Sequence, residues 1–216
     1  LLLSSPGVLG GCLYTPDGNG HVTVPDGVEE LVISAFRDCT SLVSITLPDN
    51  LTSVGIYAFR DCTSLASITL PDGLTSLGYG AFWGCTSLAS ITLPEGLTST
   101  GGDAAFWGCT SLASVTLPEG LTLISGFSFN NCTSLESIIV PYSVTKIEPY
   151  AFNDCSSLAL VYVPRHLAPG TNTFVNTAAA APGWAYPPLP SPPPRPSPPA
   201  PSQPPSPPQP PAPPPP

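Results

Sequence analysis

Six cysteines recur through the chain at Cys39, Cys62, Cys85, Cys109, Cys132 and Cys155, in steps of 23, 23, 24, 23 and 23 residues. Thiols at regular spacing could hold a metal or pair as disulfides. One cysteine per step with no histidine beside it supplies no ligand set, so no metal site is expected. Neighbours stacked about 4.8 Å apart would be close enough to bridge, but parallel side chains do not point at each other. All six are therefore expected as buried free thiols that serve as small apolar residues. Cys12 falls outside this phase. Leu9-Gly10-Gly11-Cys12 has the shape of a bacterial lipoprotein cleavage box, although Pro6 and the composition of the C-terminal tail favour a chain terminus without an anchor.

Two further columns could do chemistry. Asp26, Asp49, Asp72, Glu95 and Glu119 each follow a proline directly. Carboxylates stacked one above another could bind calcium or a cationic partner. Turn chemistry accounts for the same residues and is the favoured reading, because a side-chain acceptor after proline is what such a turn uses. The other column is Arg37, Arg60, Trp83, Trp107, Asn130 and Asn153, each placed after a phenylalanine. It is expected on the convex side and exposed, where Trp83 and Trp107 flanked by Arg37 and Arg60 would make an aromatic platform for sugar or protein. The alternative lays each indole flat over its own coil, covering Gly84 or Gly108. For catalysis the chain offers little. His21 and His166 fall near opposite ends of the repeats, no carboxylate pair stands out, and every polar type recurs by phase, so no catalytic residue and no cofactor are expected.

What must position these residues is a repeat. Pro25, Pro48, Pro71, Pro94, Pro118, Pro141 and Pro164 step by 23, 23, 23, 24, 23 and 23 residues, and Phe36, Phe59, Phe82, Phe106, Phe129 and Phe152 hold the same phase three residues ahead of each cysteine. A period of this length marks a solenoid whose units bury their apolar faces only by stacking. In the stretch from Leu65 to Leu70, alternation turns Ile68 and Leu70 inward and Ser67 and Thr69 outward. Pro71 has no N–H and stops the strand, and Pro71-Asp72-Gly73 turns the chain. Leu74 and Leu77 then return to the core, Ala81 and Phe82 fill the far side, and Cys85 closes the coil.

This pattern, L-x-x-I-x-L-P-x-x-L-x-x-[IVL]-x-x-x-A-F-x-x-C, resembles the leucine-rich repeats of the BspA-like class. Leu42, Ile45, Leu47, Pro48, Leu51, Val54, Ala58, Phe59 and Cys62 carry it first, and the match spans about residues 21–164. Val161-Tyr162-Val163-Pro164 with Gly183-Trp184 resembles the terminal segment of that class. The resemblance implies a parallel β-sheet on one face, loops or short 3₁₀ turns on the other, and macromolecular recognition through the concave sheet. That face carries Ser44 and Thr46, Ser67 and Thr69, Ser90 and Thr92, Ser114 and Thr116, then Ser137 and Ile139, and Leu160 and Tyr162. Regular Ser-x-Thr arrays also resemble ice-binding faces, while the plainest account is that Ser and Thr suit strands and solubility. Thr100 replaces an apolar position and Gly101-Gly102 supplies the extra residue of the 24-residue step, so that coil is expected to be the least regular.

The chain divides into a turn-rich N-terminal segment (1–20), the solenoid (21–177) with a C-terminal cap reaching about residue 186, and a tail (187–216) of Pro, Ser, Ala and Gln. The tail's composition predicts extended polyproline II, hence a stalk or linker, and is similar to hydroxyproline-rich wall glycoproteins. Of 216 residues 32 are proline, and five basic residues face fourteen acidic ones for a net charge of -9. That balance excludes a phosphate-backbone binder and disfavours an anionic membrane surface. No run approaches the ~18 apolar residues of a membrane span. Methionine is absent, which points to a fragment or processed form, and Leu1 to Leu3 could be the tail of a signal peptide or a frayed terminus. Asn50-Leu51-Thr52 and Asn131-Cys132-Thr133 fit the N-glycosylation pattern, with an inward middle residue in each. The functional expectation is a non-enzymatic, cell-surface or secreted module that binds protein or glycan through the sheet face or the tryptophan surface. A structural wall or matrix protein is the alternative, and an ice-binding face a third.

Overall fold

A computed structural model describes residues 11–167 and 172–178. Its regular structure is twelve short strands, in chain order β1 (His21–Thr23), β2 (Glu30–Leu31), β3 (Ser44–Thr46), β4 (Ser53–Val54), β5 (Ser67–Ile68), β6 (Ser76–Leu77), β7 (Ser90–Thr92), β8 (Ser114–Thr116), β9 (Leu123–Ile124), β10 (Ser137–Ile139), β11 (Lys146–Ile147) and β12 (Leu160–Tyr162). They form the stacked coils of a parallel solenoid, as the period requires. β1, β3 and β5 pair in parallel, as do β7 with β8 and β10 with β12, with register advancing by one coil. Ala89 N–H donating to Ala66 C=O (3.3 Å) and Glu136 N–H donating to Ala113 C=O (3.4 Å) carry the stack across the two intervals. Val22, Ile45, Ile68, Ile91, Ile138 and Val161 are buried at the strand centres, as alternation demands.

A second ladder runs beside the first and was not foreseen. β2, β4 and β6 pair in parallel, as do β9 and β11, with Leu31, Val54, Leu77, Ile124 and Ile147 turned inward. Two-residue strands are too short to show alternation, which is why the sequence suggested only irregular backbone there. Exposed threonines reinforce it. The Thr52 hydroxyl donates to Glu29 C=O, Thr75 to Thr52, Thr122 to Thr98 and Thr145 to Thr122, at 2.9 to 3.3 Å.

Between the ladders each proline opens a turn closed by an N–H three residues on, as from Leu51 to Pro48 and from Leu74 to Pro71 (3.1 and 3.0 Å). The far side is a run of turns with 3₁₀-type hydrogen bonds, such as Arg37 N–H to Ser34 C=O and Cys39 N–H to Phe36 C=O. Phe36, Phe59, Phe82, Phe106, Phe129, Phe152 and Phe174 stack behind it at 5.1 to 5.3 Å between ring centroids, and the first six are fully buried.

The expectation of six free thiols needs a correction. Cys62, Cys85, Cys109, Cys132 and Cys155 are free and buried, but Cys39 forms a disulfide with Cys12, their Cα atoms 5.1 Å apart. Each free thiol donates to the carbonyl of a phenylalanine in the preceding coil, Cys62 to Phe36, Cys85 to Phe59 and so on along the stack, at 2.9 to 3.2 Å. Cys39 belongs to the first coil and has no phenylalanine below it. The N-terminal segment crosses there antiparallel, Gly11 N–H donating to Arg37 C=O and Leu13 N–H to Ala35 C=O (2.8 and 2.7 Å), and this brings Cys12 over Cys39. A paired sulfur cannot carry a lipid, so the lipoprotein reading of Cys12 falls with it.

The coil containing Thr100 departs from its neighbours as expected. Its second-ladder strand shrinks to a single bridge between Ser99 and Leu123. Thr100 is fully buried where other coils place Leu, Val or Ile, and it shares a 2.8 Å hydrogen bond with Ser128, which sits in a column that is otherwise alanine from Ala35 to Ala151. Ser125 N–H donates to the Thr100 hydroxyl (3.0 Å), and the hydroxyls of Ser125 and Ser128 donate to Gly101 C=O and Ser125 C=O (both 2.8 Å). Every buried hydroxyl is thus satisfied, which is the condition for keeping polar groups in a core. The proline-rich stretch 187–216 and the Gly183-Trp184 segment lie outside the described residues.

Candidate recognition surfaces

On the sheet of β1, β3, β5, β7, β8, β10 and β12 the outward positions of successive strands stand in register, Ser44 beside Ser67, Ser90 beside Ser114, and Thr92 beside Thr116. Ser67, Thr69, Ser90, Thr92, Ser114 and Thr116 are all exposed. At the N-terminal edge the hydroxyls are occupied, because the His21 ring bonds Ser44 (2.8 Å) and Thr46 (3.2 Å). From Ser67 to Thr116 none of the six hydroxyls has a partner among the described residues, whereas four of the five threonines in the second ladder's column, Thr98 excepted, are bonded to backbone carbonyls. Two recesses lie on this face. One of about 400 Å³ is framed by β5, β7, Asp72 and Pro94, and one of about 280 Å³ by β8, Glu119, Ser137, Ile139 and Pro141. Toward the C-terminal end the face turns apolar, with Ile139 64%, Leu160 54% and the adjoining Tyr142 69% exposed. Tyr162 is half-buried there, and Tyr142 meets His166 edge to face at 4.7 Å.

The tryptophans are arranged differently from either expectation. Trp83 and Trp107 are half-buried and stack on each other, centroids 4.6 Å apart and planes 12° from parallel. The stack continues through Phe127 (5.5 Å) to Tyr150 (4.9 Å). At its other end the Arg60 guanidinium lies 4.9 Å from the Trp83 ring and 5.0 Å from that of Tyr57, with its Nε donating to Asp61 (3.1 Å), while Arg37 lies 5.8 Å from Tyr57. Cation–π attraction and mutual stacking therefore occupy the ring faces and leave ring edges at the surface.

Sequence reasoning singled out Trp83 and Trp107 but missed Tyr57, Tyr79, Phe127 and Tyr150, because the ladder changes column. Where the earlier of two positions is Tyr57, Phe127 or Tyr150, the one three residues on is Arg60, Asn130 or Asn153. Where the later position is Trp83 or Trp107, the earlier one is Gly80 or Ala104. That reciprocity was the available signal. A Cβ on Gly80 would lie 2.7 Å from the Tyr57 ring and 3.3 Å from the Trp83 ring, so the glycine makes the room in which the tyrosine of the preceding coil meets the indole.

The remaining candidates are dispersed. Asp26, Asp49, Asp72, Glu95 and Glu119 are exposed at the proline turns, and among the described residues no group of three or more Cys, His, Asp and Glu is placed to hold a metal. The buried thiols are held protonated by desolvation, which pushes Cys62, Cys109 and Cys155 up to about 12 and raises Cys85 and Cys132 well above the ordinary range. Asn50 is exposed and Asn131 half-buried, and the hydroxyls of Thr52 and Thr133 in the same tripeptides donate to backbone carbonyls. No helix among the described residues is long and apolar enough to cross a membrane.

Comparison with known proteins agrees with the coil geometry. No curated protein matches the chain in sequence. Among solved structures it is similar to a leucine-rich repeat protein from Bacteroides ovatus, with 35% identity and a TM-score of 0.69 over 73% of this chain and 41% of that one. It is also similar to the leucine-rich repeat protein of T. pallidum, with 34% identity and a TM-score of 0.64 over 67% of this chain and 70% of that one. A leucine-rich cell surface protein from Faecalibacterium prausnitzii gives 35% identity and a TM-score of 0.56 over 65% and 38%. The chain thus spans less than half the length of the B. ovatus protein. The family model for the BspA type leucine-rich repeat region, in six copies, matches residues 18–104 and 102–180. With phased coils, stacked phenylalanines and matched neighbours in agreement, the chain belongs to the BspA-type leucine-rich repeat family.

Proposed function

We propose that this chain is a non-enzymatic recognition module, displayed at the cell surface or secreted, that binds a protein or glycan partner through its concave sheet. The observation that carries this reading is the difference between two hydroxyl sets on one molecule. Four of the five threonines in the second ladder's column, all but Thr98, donate their hydroxyls to carbonyls of the preceding coil, while Ser67, Thr69, Ser90, Thr92, Ser114 and Thr116 leave theirs unbonded and exposed in a registered array. The array meets Ile139 and Leu160, so one continuous surface offers hydrogen-bonding groups and an apolar anchor, the composition of a specific interface. An extracellular setting is supported by the Cys12–Cys39 disulfide, since such bonds persist in oxidising compartments, and by the F. prausnitzii protein's description as a cell surface protein.

The test is capture on protein and glycan arrays followed by substitution of the ligand-facing residues. Ile139→Ser with Leu160→Ser, and separately Ser90→Ala with Thr92→Ala, are exposed changes expected to leave thermal unfolding nearly unchanged. Each pair should weaken the captured ligand at least about tenfold, a loss of about 1.4 kcal/mol. Capture that survives both pairs would overturn the assignment to the sheet face.

A further inference from the structure

The flank of the solenoid beside the second ladder carries a stripe that the recognition surface does not use. Ile33, Ile56 and Tyr79 follow β2, β4 and β6 at the same position of three successive coils and are 66%, 41% and 37% exposed. Alongside them run the outer edges of the Tyr57, Trp83, Trp107, Phe127 and Tyr150 rings. Large apolar side chains exposed in a continuous row are the mark of a surface that is normally covered. We propose that this stripe docks a polyproline II segment and that its occupant is the same chain's proline-rich tail, residues 187–216.

Four properties select that occupant. A polyproline chain lacks N–H donors and leaves its carbonyls free, so the surfaces that recognise it combine apolar or aromatic walls with outward donors. Here the walls are Ile33, Ile56 and Tyr79, and the half-buried Trp83 and Trp107 bring indole N–H groups that have no acceptor among the described residues. The pitch also fits. Ring-to-ring steps of 4.6, 5.5 and 4.9 Å from Trp83 to Tyr150 average about 5 Å per coil, so two coils come close to the ~9.3 Å turn of polyproline II, and every third residue of the tail meets an equivalent position on every second coil.

Charge does not oppose the contact. Arg195 is the one charged residue of the tail, so the tail itself brings almost no charge to be desolvated on docking. Reach is sufficient as well. Residues 172–178 pack on the last rung of the ladder, where the Asn172 side-chain amide donates to the Tyr150 hydroxyl (3.3 Å), so the chain leaves the described solenoid at one end of the stripe. Eight residues from 179 to 186 can span up to ~27 Å, and ~8 residues of polyproline II cover five coil steps. The tail's thirty residues supply that length several times over.

The experiment uses the full chain with Asp103, an exposed residue at the next position of the same column after Tyr79, replaced by a benzophenone-bearing amino acid. After irradiation, peptide mapping should find cross-links to residues 187–216 in a product of monomer mass. Ile33→Ser with Ile56→Ser should reduce that yield at least about fivefold, with thermal unfolding nearly unchanged because both side chains are exposed. Cross-links confined to the solenoid, or a yield indifferent to the serine pair, would overturn the proposal. A product of twice the monomer mass would overturn it in favour of docking by a second copy.

Discussion

Two columns of residues hold left-handed backbone in every coil, and they show how residue choice follows the trace. Asp38, Asp61, Gly84, Gly108, Asn131, Asp154 and Asn176 have φ between 55° and 72°. These are the residue types that enter this region at least cost, so the column that reads in the sequence as merely polar is a backbone requirement. Ser34, Tyr57, Ala104, Phe127 and Tyr150 hold φ of 55° to 61° four residues earlier, and for a bulky side chain this costs about 1–3 kcal/mol. Ring stacking at Tyr57, Phe127 and Tyr150 offsets part of that cost. Thr100 is the position where one residue breaks the apolar frame, and its effect can be measured. Thr100→Val restores an apolar side chain where the neighbouring coils place Leu77 and Ile124, yet it orphans Ser125 N–H and takes one partner from the Ser128 hydroxyl, which keeps its bond to Ser125 C=O. A buried group left unpaired costs about 1–3 kcal/mol, so the variant should unfold at lower urea concentration than the parent. A valine variant as stable as the parent would mean that the hydroxyl network contributes nothing.

At the scale of the element, the first coil differs from the others because it has no neighbour below. Tyr14 closes the phenylalanine stack over Phe36 at 6.1 Å, and the antiparallel segment with its disulfide covers the remaining backbone. Cys12→Ser should expose this end. Closure of a loop with a sequence separation of 27 residues is worth about 3.5 kcal/mol in the chain-entropy view, and amide exchange at Gly11 and Leu13 should rise before the middle coils respond. A reductant should reproduce the effect in the parent and leave Cys12→Ser unaffected. The contrast with the interior coils explains what the sequence could reveal. Ile68, Leu70, Phe82 and Cys85 were legible as core because each recurs in phase. Cys12 pairs across a segment that has no repeat, and the aromatic ladder passes from Trp107 to Phe127 by changing column, so neither gave a periodic signal. The second ladder was hidden for another reason, since its two-residue strands are set by stacking between coils and not by any local alternation.

For the whole molecule, stacking turns one buried thiol into a column of five, and the column gives the solenoid a pH dependence on the alkaline side. Each thiol is desolvated and donates to the coil beneath, and burial holds it protonated, to about 12 for Cys62, Cys109 and Cys155 and well above the ordinary range for Cys85 and Cys132. In the unfolded chain the same groups ionise near pH 8.5. Above that value the unfolded state binds fewer protons than the folded one, so stability must fall as pH rises. The loss approaches ~1.4 kcal/mol per thiol for each pH unit between 8.5 and the folded value, and with five thiols it is steep. Stability measured by urea unfolding should therefore be nearly level from pH 6 to 8 and collapse between pH 9 and 11. Replacing Cys85 and Cys132 by alanine lowers the plateau, because two carbonyls lose a donor, but it should also make the alkaline decline shallower by about two fifths. The slope separates the two effects, since a purely structural role for the thiols would shift the whole curve without changing its steepness. Thiol-reactive reagents give an independent reading, with the five cysteines expected to stay unmodified at pH 8 in the folded protein and to react together as the coils open.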